Sequence, residues 1–291
     1  MLVIAGNLRL GAHKTRRAYL GSTPVFAAEQ TRWGTDFGEY STGSAPGDWT
    51  SYPSASLVTF EIASGGLVSN KRMRIRDTAS SGFRMSLFVW DVLPEVVDSE
   101  VLLLVERGGA NNLNNLHGVA QRLTVTSSTN NSGLLLGVRN NASDITRRRI
   151  HNGLLEDQEN VVHGGSYEAG KALWMRCRWD GANYRVKGWE ADTGEADLGL
   201  SDEPSAWQLD GTFATITGAG KTGVLYHMFG ATADRSETFV HYFGVGIDGD
   251  SAPLPVFAPG PAPVPDRSLF ETFDSTATSF DSTAHTFDEV V

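Results

Sequence analysis

Carboxylates are the first residues of this chain that could do chemistry. Retaining glycoside hydrolysis needs two carboxyl groups about 5 Å apart, which a strand supplies when acids recur at every second position on one face. No such run occurs, and the nearest acidic cluster, in residues 190–197, is interrupted by Thr193-Gly194 and indicates a turn. The sequence therefore predicts no catalytic pair and no enzyme.

Histidine and cysteine could supply metal ligands or a nucleophile. The seven histidines are scattered, without short ligand spacing, at positions 13, 117, 151, 163, 227, 241 and 285. His227 and His241 fall on predicted strands and could approach one another, although an ordinary strand histidine is the commoner outcome. Cys177 alternates with Met175 and Trp179, which predicts a small core residue. As the single cysteine it excludes an intramolecular disulfide.

Two acidic turns offer oxygen ligands that Ca²⁺ could use. They are Asp248-Gly249-Asp250 and the stretch from Asp197 to Glu203. A plain acidic turn explains both equally well. We therefore predict no cofactor and leave calcium open as the alternative.

One basic run and three tryptophans could contact a glycan. Arg147-Arg148-Arg149 could bind an anionic glycan or a neighbour's acidic segment, but a solvated loop or strand edge is the commoner outcome of such a run. Trp90, Trp174 and Trp189 stand on the predicted outward phase of their strands, where a ring could stack against a sugar. Each ring could equally pack beneath a loop.

These residues must be positioned by β-strands. The 32 glycines, with many Ser, Thr and Asn residues, indicate frequent turns and favour an all-β class. Strict alternation puts Leu173, Met175, Cys177 and Trp179 inward, and a hairpin follows at residues 180–183. Phe83, Met85, Leu87 and Val89 also share one face, which we predict to be the core face. Further strands are predicted at residues 57–62, 101–106, 121–126, 134–138, 224–229 and 239–247.

The first residues carry one resemblance. The string Leu8-Arg9-Leu10-Gly11, followed by residues 17–25 with Tyr19-Leu20-Gly21-Ser22, resembles the opening of many tailed-phage structural proteins, in which a similar hairpin stands at the N-terminus. Residues 36–50 resemble phrases common in phage tail proteins. The resemblance implies an N-terminal module that anchors the chain to a particle, with Arg16, Arg17, Tyr19 and Leu20 as its assembly residues.

The order of strands in the second half carries another resemblance. The strand at residues 173–178, its hairpin, the acidic stretch to Trp207, the strand at 223–225 and the closing strand at 239–249 together resemble the concanavalin A-like jelly roll. The resemblance spans roughly residues 50–250. It implies an all-β sandwich, with a lectin-like shape and no assigned ligand.

The C-terminal residues repeat with a period of seven. Phe273-Asp274-Ser275-Thr276 is followed by Phe280-Asp281-Ser282-Thr283 and then Phe287-Asp288. Such a unit cannot build a core alone, so each Phe must bury its ring elsewhere, which indicates docking on the sandwich or on another copy. A disordered polar terminus is the alternative. Phe273, Phe280, Phe287, Asp274 and Asp281 are the predicted assembly residues.

The domain boundaries follow from these segments. We predict an anchoring β module at 1–32, a sandwich at 33–250, a Pro-rich extended linker at 251–266 and the repeat tail at 267–291. The N-terminal module is basic and the tail acidic, so the two ends could attract each other between copies. Solvated ends are the alternative, because exposed ion pairs contribute little.

Charge and hydropathy exclude two classes of partner. The net charge of −10 argues against non-specific nucleic-acid binding. No segment approaches the roughly 20 apolar residues that cross a bilayer, and residues 1–6 are too short for a secretory signal. We expect synthesis in a host cytoplasm and localisation in the virion.

Taken together, the residues and both resemblances predict a non-enzymatic structural protein of a tailed-phage virion, at the tail tip or in a tail fibre. Its partners would be copies of itself and other virion proteins, with contact to a host surface glycan left open. The alternatives are a carbohydrate-binding or glycan-cleaving module, and a head decoration or head fibre protein.

Overall fold

The structure, a computed structural model, describes most of the chain between residues 30 and 257. The described ranges are 30–53, 58–77, 84–108, 116–125, 131–139, 144–151, 154–162, 168–213, 215–228 and 237–257. Before them it gives the backbone of four short strands, β1 (Arg9–Leu10), β2 (His13–Lys14), β3 (Arg17–Leu20) and β4 (Thr23–Ala27). Strands β3 and β4 pair antiparallel, which confirms the hairpin predicted there.

Sheet 1 is one of two antiparallel sheets that form the sandwich. Its order is β17-β16-β15-β10-β19-β8-β7, and β5 also pairs with β19. Its strands are β5 (Arg32–Thr35), β7 (Val58–Ser64), β8 (Lys71–Asp77), β10 (Ser99–Gly108), β15 (Ala172–Asp180), β16 (Asn183–Glu190), β17 (Leu209–Thr212) and β19 (Glu237–Ile247). A 3₁₀ turn at Leu200–Asp202 lies between β16 and β17.

Sheet 2 packs against sheet 1 and has the order β14-β13-β12-β11-β18-β9-β6. Its strands are β6 (Trp49–Pro53), β9 (Arg84–Trp90), β11 (Leu116–Val125), β12 (Asn131–Arg139), β13 (Asp144–His151), β14 (Leu154–Val162) and β18 (Lys221–Met228). The two antiparallel sheets confirm the fold class that we predicted, an all-β sandwich of the concanavalin A-like jelly-roll kind. The described residues include no helix of the length and apolarity that a bilayer crossing needs.

The inter-sheet core is built by alternate residues of both sheets. From β15 it takes Leu173, Met175, Cys177 and Trp179, all at most 1% exposed, so the inward phase predicted for this strand is confirmed. Burial of Cys177 raises the pKa of its thiol far above the usual value, which keeps the sulfur protonated and unreactive.

Strand β9 faces the opposite way from our prediction. Phe88 and Trp90 point into the inter-sheet core, whereas Met85, Leu87 and Val89 lie on the outer face of sheet 2. The pattern was ambiguous because residues of both phases are large and apolar. A strand that is buried on both faces alternates in position but not in polarity, so its sequence does not say which face looks inward.

Six strands of the sandwich were missed, namely β5, β6, β8, β13, β14 and β17, and in three of them, β8, β13 and β14, polar residues hide the alternation. Strand β8 shows only Met73 and Ile75 between Lys71 and Asp77. Strand β13 contains the arginine run, and β14 has the sequence LLEDQENVV. Cross-strand pairing with their neighbours, rather than local hydrophobicity, positions these strands.

The predicted linker begins too early. Ala252 is 1% exposed and donates its backbone N–H to Glu100 at 3.2 Å, and the hydroxyl of Tyr242 donates to the carbonyl of Pro253 at 2.7 Å. Phe257 packs on apolar residues of sheet 1. Residues 251–257 are therefore part of the sandwich, because prolines that lack N–H groups still present carbonyls and apolar rings for packing.

Candidate functional site

The outer face of sheet 2 carries a cluster of buried apolar side chains. We call it the outer cluster of sheet 2, and it consists of Met85, Leu87, Val89, Leu116, Ala120, Leu123, Leu135, Ile150 and Leu225. Each of these residues is at most 2% exposed. A sugar site needs accessible aromatic rings and polar groups that point at hydroxyls. The residues of this cluster supply neither.

The outer face of sheet 1 buries two of the three tryptophans proposed for stacking. Trp174 and Trp189 do have the outward phase that we predicted, but they stack on each other at 6.3 Å and are 0% and 6% exposed. Their indole N–H groups donate to the carbonyls of Leu198 and Gly199, both at 2.9 Å. The loop at residues 191–199 therefore covers both rings and leaves no face for a sugar.

These rings belong to the outer cluster of sheet 1. Its members are Val68, Leu102, Leu104, Ala172, Trp174, Trp189, Ala191, Leu198, Tyr242 and Ala252. The cluster is smaller than the inter-sheet core and is covered by loops and by residues 251–257. It is a structural cluster, because large aromatic rings covered by chain segments stabilise those segments on the sheet.

Trp90, the third stacking candidate, lies inside the sandwich. Its ring stacks on Trp49 at 5.6 Å, and its indole N–H donates to Oδ2 of Asp48 at 2.9 Å. The hydroxyl of Tyr40 donates to the same oxygen at 3.0 Å. Burial, with Asp48 adding to it, raises the pKa of Tyr40 well above its usual value. The outward orientation predicted for Trp90 is wrong. Residues of both phases of β9 are large and apolar, so the sequence does not show which of them face the core.

A buried ion network crosses the outer face of sheet 1. Arg176 donates to Glu100 at 2.6 Å, and through Nε and Nη2 to both carboxylate oxygens of Glu203, at 2.6 and 2.7 Å. Lys187 adds a contact to Glu203 at 2.8 Å. Burial disfavours the charge of Glu203, but the hydrogen bonds from Arg176 and Lys187 hold its pKa below the usual value. Each of the four side chains is thus paired with an oppositely charged side chain of the network.

A small open recess lies at one end of sheet 1. Its lining consists of Asp98, Ser99, Glu100, Arg178, Trp179, Asp180, Gly249 and Asp250. Asp98 accepts the N–H of Gly181 at 2.7 Å, and Asp250 accepts the hydroxyl of Thr31. Arg178 lies 3.7 Å from Glu100 and 3.9 Å from Asp180. The recess is acidic but small, and its carboxylates have protein partners.

Among the described residues, neither the calcium hypothesis nor the possible approach of His227 and His241 finds converging metal ligands. Across the described ranges, no group of three or more His, Cys, Asp or Glu side chains could hold a metal ion. Asp197 accepts the N–H groups of Gly199 and Ser201 and so caps its own turn. His227 projects from sheet 2 and His241 from the outer face of sheet 1, so the two rings do not approach one another.

The arginine run lies on β13, beside the acids of β14. Register places Arg147 opposite Glu159 and Arg149 opposite Glu156, and the Arg147 guanidinium lies 3.4 Å from Glu159. Arg147 also stands over the ring of Phe213 at 4.9 Å. The run is therefore part of a sheet, and Arg147 has an acidic neighbour within its own chain.

The predicted assembly residues are not tested by this structure. Phe273, Phe280, Phe287, Asp274 and Asp281 lie outside the described residues, as does Arg16. Arg17, Tyr19 and Leu20 lie on β3, of which the structure gives only the backbone. Their assembly roles stay predictions.

One aromatic residue was missed by the sequence analysis. Trp207 is only half-buried, and the ammonium of Lys187 lies 4.9 Å from the centre of its ring. It stands in the segment before β17, outside any strand, so strand phase could not reveal it. Its place close to Pro204 and Ser205, residue types that are mostly exposed in folded proteins, was the available signal for surface exposure.

Comparisons with known proteins return sandwiches of low similarity. No protein-family model matches the chain, and no curated protein matches it. Among solved structures, a carbohydrate binding module of Bacillus subtilis is 12% identical, with a TM-score of 0.42, over 67% of this chain and 94% of that one. Lectin II of Ulex europaeus is 5% identical, with a TM-score of 0.45, over 76% and 100%.

The Ca²⁺-bound lumenal domain of VIP36 is a third such structure. It is 12% identical, with a TM-score of 0.42, over 66% of this chain and 84% of that domain. At these values the likenesses say nothing about a ligand of this chain.

Proposed function

We propose that this chain is a non-enzymatic structural protein of a tailed-phage virion, in the tail tip or a tail fibre, made in the host cytoplasm and assembled through its terminal segments. Its partners are copies of itself and other virion proteins. The sandwich acts as a rigid block between two attachment segments.

The observation that carries this proposal is the closure of the sandwich. Among the described residues, the outer cluster of sheet 2 buries apolar side chains on one outer face, and ion pairs and covered tryptophans occupy the other. An enzyme or a lectin needs a concave site with unpaired polar groups. A structural block needs neither, so its buried charges can be paired within the fold.

The N-terminal residues supply the virion context of the proposal. The resemblance of residues 8–25 to the opening of tailed-phage structural proteins rests on a hairpin, and β3 and β4 form one. The repeat tail, with one phenylalanine per seven residues, provides apolar side chains that another copy can bury.

Deletion of residues 266–291 tests the assembly role. Sedimentation of the full-length chain and of the deletion variant, followed by incorporation of each into particles, compares the two directly. We expect the deletion to reduce oligomer size and incorporation. A matched full-length variant, Phe273→Ser with Phe280→Ser and Phe287→Ser, keeps the tail length and should reproduce the loss. Unchanged oligomer size and incorporation in both variants would contradict the role.

One observation favours a second candidate, a glycan-binding module. Trp207 is only partly buried, and the ammonium of Lys187 lies over its ring. Aromatic rings of this kind stack on the apolar faces of sugars. Under this alternative, Trp207→Ala would abolish selective glycan binding while leaving the sandwich folded.

A further inference from the structure

His241 lies at a bulge of β19 and has two different hydrogen-bond partners. Val240 pairs with Val105 and Tyr242 with Leu104, so His241 is the extra residue between them. Its Nδ1 accepts the backbone N–H of Leu67 at 3.0 Å, and its Nε2 lies 2.8 Å from Oε2 of Glu106. A backbone N–H can only donate, so the ring is neutral, with its proton on Nε2.

The charged groups around this ring come from two strands. Glu106 approaches from β10, and Arg72 approaches from β8, with its Nη1 2.8 Å from the same carboxylate oxygen. The guanidinium of Arg72 also stands 3.5 Å from the ring centre of Phe239. The turn at residues 65–70 has no charged side chain, and β19 has none between Thr238 and Ile247 apart from His241.

The turn at residues 65–70 covers the outer cluster of sheet 1. Val68 is 8% exposed and belongs to that cluster, and Leu67 packs against it. The turn is closed by the N–H of Gly65, which donates to the carbonyl of Asn70 at 2.9 Å, and Gly65 has a φ of 86°. The bond from Leu67 to His241 therefore fixes the middle of the turn to the sheet.

We propose that His241 is an acid-sensitive switch: protonation of Nδ1 removes the acceptor of the Leu67 N–H, so the turn at residues 65–70 leaves sheet 1 and uncovers the outer cluster of sheet 1. A protonated ring places two N–H donors face to face at a buried position. The turn then has to move, since the ring is held on its other side by Glu106.

The direction of the switch follows from the surroundings of the ring. Burial lowers the pKa of His241, the Glu106 carboxylate opposes this lowering, and Arg72 adds to it, with a net pKa below the usual imidazole value. A group with a lowered folded-state pKa stabilises the closed turn fully at pH values above the ordinary imidazole range. That stabilisation is lost as the pH falls through and below this range.

Hydrogen exchange on the full-length chain tests the proposal. Protection factors, corrected for the intrinsic pH dependence of exchange, are measured between pH 7.5 and 5 for residues 67–70 and for the central β10 amides at 101–105. Protection of residues 67–70 should fall by up to about tenfold per pH unit below the ordinary imidazole value. The β10 amides should stay protected.

Two variants separate a switch from a merely structural histidine. Asn at position 241 offers an oxygen near the place of Nδ1 and cannot titrate, so His241→Asn should give residues 67–70 a protection that does not change with pH. Glu106→Gln removes the charge that favours the imidazolium, so it should move the opening to lower pH. Acid opening that persists in His241→Asn, no opening in the unmodified chain, or loss of β10 protection at the same pH would each overturn the proposal.

Discussion

The two outer faces of the sandwich are closed by different chemistry. On sheet 2 the closing groups are aliphatic, and Leu87, Leu135 and Leu225 are 0% exposed. On sheet 1 the closing groups are ion pairs, such as Arg176 with Glu100, around a small aromatic cluster. Burial of aliphatic side chains stabilises a face by excluding water from it, whereas buried charged side chains are tolerated only when each charge is paired. The faces should therefore respond differently to the same kind of mutation.

A charge placed in the outer cluster of sheet 2 should have the largest effect. Leu135→Asp buries a carboxylate among aliphatic side chains, and we expect a cost of about 5 kcal/mol or more, comparable to the whole stability of a domain. Soluble yield and the cooperativity of thermal unfolding measure it. The matched control is Arg185→Asp on the outer face of sheet 1, where the side chain is 42% exposed and the expected cost is below about 1 kcal/mol. An equal loss of stability in the two variants would contradict the proposed difference between the faces.

Breaking the ion network should have the next largest effect. Arg176→Ala leaves the buried carboxylate of Glu100 without its closest cation, and we expect a loss of about 3–5 kcal/mol of unfolding free energy. Urea denaturation at neutral pH measures the loss. Removing both charges together, by Glu100→Gln with Arg176→Met, should restore most of it. If Arg176→Ala were as stable as the double variant, the network would not be stabilising this face.

Acid should destabilise the interior by a smaller amount. His117 is 0% exposed, and burial, with Arg107 adding to it, lowers its pKa to about 3. Its neutral form stabilises the fold fully above the unfolded pKa, and this contribution falls with pH until the folded pKa is reached. Between pH 7 and 5 the loss is about 2 kcal/mol for an unfolded pKa near 6.5. Urea denaturation at the two pH values measures this loss. In His117→Gln the pH dependence of the unfolding free energy should be smaller by the contribution of about one proton. An unchanged pH dependence would contradict burial of a neutral ring.

The sequence predicted strands better than it predicted faces. Strand β15 was placed correctly because Arg176 and Arg178 mark its outer side. Strand β9 was inverted because Phe88 and Met85 are both apolar, and only the packing of a second sheet decides between them. The fold class and the hairpins follow from the local alternation of apolar residues and from the turn residues between strands. Orientation in a doubly buried strand is a tertiary property.

The candidate site was harder to predict than the fold. The burial of Trp174 and Trp189 depends on carbonyls of Leu198 and Gly199 in a loop that follows in the chain. The role of His241 depends on the amide of Leu67, far away in sequence. The acids that neighbour the arginine run are set by the register of β13 with β14. None of these contacts leaves a periodic signal, because each joins a side chain to a distant backbone or strand.

A glycan array with the full-length chain tests the closed sandwich most directly. The central claim is that the sandwich is a structural block whose described outer-face side chains are engaged within the fold, so we expect no selective binding above background and no difference between the unmodified chain and Trp207→Ala. Selective binding of one class of glycan, lost in Trp207→Ala while the thermal unfolding of the sandwich is unchanged, would contradict the claim and establish a binding module instead.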